Sequence, residues 1–243
     1  MDRTSTYLKY CITWLKDNGG NELEGIFRKS PNERELQDVQ KMMEKQKDYN
    51  LESSLDPHLV ANLVKRLWGN LKEPIIPFNL YSTFIAANSM EDLSERLSNI
   101  KEAISLLPSP NKTLLHILFE YLHELSQHHQ LTLMDANNLA ICFTPNLFRA
   151  PTSETISILW IAELGRFIAV VSTIITHFEY LFSPTIPQDK PKNFRSIQSK
   201  YSSDTLKNLA ALEEIKKIEH TSNNQNDFNW VQKLSIIKDN LKA

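Results

Sequence analysis

The 243-residue sequence is poor in the residues that β-sheets, disulfide scaffolds and strongly charged surfaces require. Five glycines are too few for the glycine-rich turns of an all-β chain, so helices are favoured. The two cysteines, Cys11 and Cys142, show no metal-ligand spacing and are typical of free buried thiols in a reducing compartment. A formal net charge of −2 gives no bulk attraction to nucleic acid, so we expect no nucleic-acid partner.

Long apolar runs are also lacking. No run approaches the ~18 apolar residues of a membrane span, and no hydrophobic signal core follows the polar residues 1–6. We therefore expect a cytoplasmic protein without a transmembrane segment.

Apolar residues make up 41% of the chain and recur mostly at helical spacing, which predicts an all-α fold. Prolines and polar residues that cap helices mark where the helices start and stop. The predicted helices cover residues 5–16, 80–88, 91–106, 110–128, 133–142 and 154–181, with two more that start at Pro31 and Pro57.

Several helix ends carry specific signals. Ser30 is predicted to be the N-cap of the second helix, with Pro31 at its first position and Glu33 completing a capping box. Ser109 is predicted to cap the helix over 110–128, and Pro145 to stop the helix over 133–142. The cap at Ser30 is therefore expected to fix the end of the loop that precedes it.

A composition change divides the chain. We predict a compact domain over 1–186, a mildly basic polar linker over 187–203, and a helical extension over 204–243. The amphipathic helices of the extension need a partner surface, because a lone short helix is marginal in water. Docking back on the domain, self-association and binding of another protein all remain open.

The sequence carries no complete active site of its own. Gly20 and Gly25 have the spacing of a phosphate-binding loop, but Ile26 and Phe27 stand where lysine and serine or threonine are required. A zinc-protease helix is excluded because the residue four positions after His123 is not histidine. We expect neither a metal site nor a bound cofactor, and the chain is not expected to be an enzyme.

Arg28 is unusual in its position. It follows the apolar pair Ile26 and Phe27, which we expect to anchor the loop, and precedes a predicted helix cap. On the residues alone, an ordinary surface arginine is the simpler interpretation. On the third helix, the apolar positions leave a polar side on which Lys65 points outward, and this side is shared by Asn62, Lys65, Arg66 and Gly69.

Three sequence blocks occur in an order typical of one family. They are 24–30 (EGIFRKS), 63–65 (LVK) together with 71–77 (LKEPIIP), and 138–147 (NLAICFTPNL). Together they resemble the RhoGAP family, the GTPase-activating proteins for Rho-class small GTPases. The resemblance covers about residues 5–184 and implies a single compact helical domain of about eight to nine helices.

The resemblance also implies roles for individual residues. Arg28 matches the arginine finger that the family inserts into the active site of a GTP-bound Rho/Rac-class GTPase, which itself holds the GTP and Mg²⁺. The implied partner-binding residues are Lys65, Asn146 and Lys29, and the implied structural supports are Asn138 as a buried brace, Pro74 and Pro145.

The chain departs from the family pattern in a few places. Many members have arginine where this chain has Gly69, and glycine where it has Thr144. Two other interpretations therefore stay open: a weak or inactive RhoGAP-fold module that binds a GTPase or another protein as a scaffold, and an unrelated helical scaffold. No internal repeat supports the last of these.

Overall fold

The computed structural model describes residues 3–45, 50–69, 71, 73–149 and 154–183. Over these residues the chain forms α-helices and no strand, which confirms the predicted all-α fold. The predicted linker and extension lie outside the described residues, so the domain boundaries stay predictions. The helices are α1 (Arg3–Asp17), α2 (Glu33–Lys45), α3 (Pro57–Gly69), α4 (Tyr81–Asn88), α5 (Leu93–Ser105), α6 (Ser109–Gln127), α7 (His129–Thr132), α8 (Ala136–Leu147), α9 (Glu154–Thr176) and α10 (Phe178–Phe182).

Helix α6 lies at the centre of the bundle, packed against α1, α8, α9 and α10. Its residues Leu118, Leu122 and Leu125 are fully buried. Each such leucine contributes about 1.5–3 kcal/mol relative to an exposed one. Because α1 also packs on α3, and α3 on α8, the four helices α1, α3, α8 and α6 pack against one another in a ring. None of the helices within the described ranges has both the length and the apolar character to cross a membrane.

The start of α2 differs from the prediction. The N-cap is Asn32 rather than Ser30: its Oδ1 accepts the backbone N–H of Arg34 at 2.9 Å and that of Glu35 at 3.4 Å. Pro31 consequently lies before the helix. Glu33 forms no capping box with Ser30, because its carboxylate is occupied by the side chains of Gln37 and Arg66. Ser30 and Asn32 are both good capping residues and lie two positions apart, so the sequence did not show which of them begins the helix.

The start and end of α8 also differ from the prediction. It begins after Asp135, whose Oδ1 accepts the N–H of Asn138 at 2.7 Å, and it continues through Pro145 to Leu147. A proline this close to the end removes one helical hydrogen bond, to the carbonyl of Ile141. Ile141 lies on the exposed side of α8, where water can satisfy that carbonyl. Pro145 therefore does not stop the helix.

Two other predicted helix ends are wrong. Ser109 is the first residue of α6 instead of its cap; Pro108 holds the cap position and makes no side-chain hydrogen bond. The predicted helix over 154–181 is divided at His177 into α9 and α10.

The turn after α1 depends on a close backbone approach at Gly20. The Gly20 N–H donates to the Leu15 carbonyl at 2.7 Å. A Cβ atom at Gly20 would lie 2.8 Å from that same oxygen, closer than side-chain carbons are found. The chain can turn back toward the core here only because this residue has no side chain.

We predict that Gly20→Ala lowers the free energy of unfolding by about 1–3 kcal/mol, because the Leu15 carbonyl must move to accommodate the methyl group. Urea denaturation measures the change. Gly165→Ala, at an exposed position of α9, is the control: no atom lies within 4 Å of its Cβ position. It should leave stability unchanged or raise it by up to about 1 kcal/mol. Equal effects of the two substitutions would contradict the close approach.

Candidate functional site

The Arg28 loop, which we define as residues 24–29, joins α1 to α2 in a tight, non-repetitive turn. Gly25 and Phe27 both have left-handed backbone conformations, with φ of +72° and +67°. The N–H groups of Arg28 and Lys29 both donate to the Gly25 carbonyl, at 2.9 and 3.0 Å. Phenylalanine in this conformation is rare and costs about 1–3 kcal/mol, so the surrounding structure must hold it there.

Burial of the apolar pair supplies much of that support. Ile26 and Phe27 are both fully buried, which confirms that they anchor the loop. The Phe27 ring packs edge-on against Phe143 of α8 and Tyr121 of α6, with centroid distances of 4.9 and 6.1 Å. Such aromatic pairs contribute about 0.5–1.5 kcal/mol beyond the area they bury. The strained residue is therefore held by packing in the core.

Helix α3 supplies a second support. The Lys65 ammonium donates to the Phe27 carbonyl at 2.7 Å, and the Asn62 amide donates to the Lys29 carbonyl at 3.2 Å. Lys65 is half-buried, and the resulting loss of solvation lowers the pKa of its ammonium group. The prediction that Lys65 points outward is therefore wrong. Its long flexible stem lets the charge reach back to the loop.

Thr132, the last residue of α7, is a third support that the sequence did not reveal. Its carbonyl accepts the Gly25 N–H at 2.7 Å. The buried Thr132 hydroxyl donates to the His128 carbonyl at 3.1 Å and accepts the Met134 N–H at 3.2 Å. A threonine between two leucines carries no periodic or motif signal, so its role becomes visible only in three dimensions.

With its backbone held in this way, Arg28 directs its side chain to solvent. The side chain is exposed and makes no hydrogen bond or ion pair within the described part of the chain. Its neighbour Lys29 is also exposed but lies 3.5 Å from the Glu24 carboxylate. Burial raises the pKa of the Cys142 thiol, and the positive charges of Lys65 and Arg28 oppose that shift.

An open groove of about 610 Å³ lies beside the loop. Its two walls are α3 and α8. Asn146 connects them by donating from its amide to the Lys65 carbonyl at 3.4 Å. Just beyond the ends of both helices, Arg149 donates to the Leu71 carbonyl at 2.8 Å. The residues that line it are Gln40, Asn62, Lys65, Arg66, Gly69, Cys142 and Asn146.

The predicted polar side of α3 is confirmed as one surface, since all four of its members line this groove. Arg66 is already engaged, with Glu33 by an ion pair and with Gln40 by a hydrogen bond of 3.1 Å. Gly69 leaves an opening, because no atom lies within 4 Å of its Cβ position.

The structure brings together some of the predicted site residues and separates others. Lys65 and Asn146 lie in the groove. Asn138 is half-exposed instead of buried, because it lies in the first turn of α8, where its amide donates to the Leu133 carbonyl at 3.1 Å. Pro74 is buried in the loop after α3, whereas Pro145 is exposed within α8.

Thr144 does not need the conformational freedom of glycine. It lies inside α8, fully buried, and its hydroxyl donates to the Ala140 carbonyl at 2.7 Å. Phe27 and Leu133 are the non-glycine residues with positive φ in the described ranges, and Thr144 is not among them. The same ranges contain no group of three histidine, cysteine, aspartate or glutamate residues able to hold a metal ion.

Comparison with known proteins identifies related sequences. The sequence model of the RhoGAP domain matches residues 5–152. The Rho GTPase-activating protein gacN of Dictyostelium discoideum is 32% identical over 176 residues, which cover 72% of this chain and 28% of gacN. Rho GTPase-activating protein 4 of Homo sapiens is 30% identical over 176 residues, which cover 72% of this chain and 18% of that protein. The chain thus spans less than a third of the length of these curated relatives.

Solved structures share the fold. The crystal structure of the BH domain from Graf, the GTPase regulator associated with focal adhesion kinase, aligns with a TM-score of 0.67 at 23% identity. The alignment covers 77% of this chain and 98% of that one. Human Rho GTPase activating protein 15 aligns with a TM-score of 0.66 at 23% identity, over 73% of this chain and 83% of that one.

We predict that Thr132→Val lowers the free energy of unfolding by about 1–3 kcal/mol, because it leaves the buried Met134 N–H without its acceptor at nearly unchanged volume. Thr132→Ser, which keeps the hydroxyl, should lose less. Thr113→Val, on the exposed surface of α6, controls for loss of a threonine hydroxyl and should change stability by less than about 0.5 kcal/mol. Urea denaturation of the three variants measures these changes, and equal losses for valine and serine at position 132 would contradict the assigned hydrogen bond.

Proposed function

The chain belongs to the RhoGAP domain family, and from this membership we propose that it stimulates GTP hydrolysis by a Rho/Rac-class small GTPase, using Arg28 as an arginine finger. The observation that carries the proposal is the Arg28 loop. An exposed arginine that has no partner among the described residues stands on a strained and closely supported backbone beside an open groove. The relatives named as Rho GTPase-activating proteins support the same choice of partner.

Stimulation of GTP hydrolysis requires a positively charged donor more than a nucleophile or a base. In GTP hydrolysis, water attacks the γ-phosphorus and the bond to the bridging oxygen of GDP breaks, so negative charge develops on the leaving and γ-phosphoryl oxygens. The partner GTPase is proposed to hold GTP, Mg²⁺ and the attacking water. Arg28 would donate N–H groups to the developing charge, and a guanidinium is suited to this because it stays protonated and presents several donors in one plane.

The supports of the loop matter because a finger acts through its position. Ordering a flexible loop during the reaction would use part of the interaction energy with the partner. Here the backbone on both sides of Arg28 is already held, by Phe27 packing and by the side chains of α3. We propose that Lys65, Asn146 and Lys29 contact the GTPase around the finger, in the groove and at its edge.

We predict that Arg28→Ala and Arg28→Lys each lose at least about a hundredfold of the stimulated rate, since arginine fingers contribute about 10³ to 10⁵ in rate. Binding to the GTP-loaded partner should change only a few-fold. Single-turnover GTP hydrolysis by a panel of Rho, Rac and Ras type GTPases measures the rate. Arg166→Ala, which removes an exposed arginine of α9, is the matched control.

Two results would contradict this assignment in different ways. If Arg28→Ala stimulates as well as the unmodified chain, Arg28 is not the finger. If the unmodified chain binds a Rho-class GTPase without accelerating hydrolysis, the chain is a binding module of the same fold.

We predict that Lys65→Met reduces the maximal stimulated rate at least about tenfold, because the strained Phe27 loses the donor to its carbonyl and small displacements of a catalytic group are costly. Half-saturating concentration should also rise, since Lys65 lines the groove. Titration of the chain in the single-turnover assay separates the two effects. A raised half-saturating concentration with an unchanged maximal rate would show that Lys65 contacts the partner without supporting the finger.

A further inference from the structure

We propose that Asn62 is a positioning residue for Arg28: it holds the backbone after Arg28, as Lys65 holds the backbone before it. The proposal rests on the proposed function of Arg28. Its physical basis, however, is a contact within the chain that can be tested without a GTPase.

The two supports have a common geometry. Asn62 and Lys65 are three residues apart on α3, so their side chains leave the same face of the helix. The Lys65 ammonium reaches the Phe27 carbonyl at 2.7 Å, and the Asn62 amide reaches the Lys29 carbonyl at 3.2 Å. These are the carbonyls of the residues directly before and after Arg28. The peptide that precedes Arg28 and the peptide that follows Lys29 are therefore both attached to the same helix.

The orientation of the Asn62 amide is itself fixed. Its nitrogen also donates to the His58 carbonyl, one turn earlier in α3, at 2.9 Å. An amide nitrogen carries two hydrogens, so one can serve the helix and the other the loop. The bond to the His58 carbonyl thus fixes the orientation of the Asn62 side chain, and the second hydrogen of the same amide reaches the Lys29 carbonyl.

The two sides of the loop need support to different degrees. Before Arg28, the fully buried Phe27 holds the chain by packing. After Arg28, Lys29 and Ser30 are exposed, and α2 begins only at Glu33. Packing therefore constrains the exit of the loop less than its entry. A hydrogen bond to the Lys29 carbonyl restrains the side on which packing is weakest.

The presence of asparagine inside α3 agrees with this role. Asparagine is an unfavourable residue in a helix interior, because its side chain competes for backbone hydrogen bonds. Residues that are unfavourable in their own secondary structure are expected at functional sites. Asn62 lowers the intrinsic stability of α3 and supplies the donor that the loop exit requires.

The test compares Asn62→Leu, which keeps a similar shape without donors, with Thr113→Ala. The control removes another side chain that bonds to a carbonyl one turn back, at 3.2 Å, on the exposed surface of α6. The first readout is the single-turnover rate of a Rho-class GTPase titrated with each variant. The second is hydrogen exchange of the Arg28 and Lys29 amides in the free chain, both of which donate to the Gly25 carbonyl.

Asn62→Leu should lower the maximal rate between about fivefold and a hundredfold, with the half-saturating concentration changed less than about threefold. Exchange of the Arg28 and Lys29 amides should accelerate by at least about fivefold, while the thermal midpoint stays within a few degrees. Thr113→Ala should leave all of these quantities unchanged. A residue that only stabilised the fold would lower the thermal midpoint without a selective loss of maximal rate.

Unchanged exchange at Arg28 and Lys29 in Asn62→Leu would overturn the proposal whatever the GTPase assay shows. Accelerated exchange with an unchanged maximal rate would also overturn it, since the loop order would then be irrelevant to stimulation. If the unmodified chain stimulates no GTPase, the proposed function fails, and the exchange measurement still decides whether Asn62 orders the Arg28 loop.

Discussion

The site depends on the burial of Phe27 in a backbone conformation that phenylalanine rarely adopts. The left-handed turn at this residue brings its ring into the core and leaves the next side chain, Arg28, at the surface. Contacts with Phe143 and Tyr121 offset the conformational strain, which is comparable to the gain from packing such a ring. Without the surrounding helices the loop would not keep this conformation. The exposure of Arg28 therefore depends on the fold of the whole bundle.

The supports of the loop come from distant parts of the chain, and this explains how much of the site could be predicted. The apolar pair Ile26 and Phe27, the arginine after it and the polar side of α3 are local patterns, and they were readable from sequence. The contact between Thr132 and Gly25 joins residues far apart in the sequence, and neither residue signals it. The reach of Lys65 back to the loop was likewise hidden, because a helical pattern gives the face of a side chain but not the direction of a long flexible one.

The helices show a similar contrast between what could be predicted and what could not: their existence was predictable, but their ends were not. An all-α fold follows from hydrophobic periodicity, which sums over many residues and tolerates local errors. Ends depend on single residues, and neighbouring ones compete: Asn32 caps α2 where Ser30 was expected. Pro145 was expected to end a helix, but a proline near the last turn removes only one hydrogen bond, and α8 continues through it to carry Asn146 into the groove.

The positively charged side chains around the loop differ in the intramolecular interactions that they make. Arg66 is committed to Glu33 and Gln40, Lys29 lies beside Glu24, and Lys65 is half-buried with its ammonium on the Phe27 carbonyl. Each of these groups would have to give up an intramolecular interaction before binding an external anion, and that loss opposes binding. Arg28 has no such interaction to lose among the described residues, and its backbone N–H donates to the Gly25 carbonyl. Among the described residues, the fold thus leaves the Arg28 guanidinium exposed and unpaired on a supported loop, an arrangement that favours the proposed stabilisation of a developing phosphoryl charge.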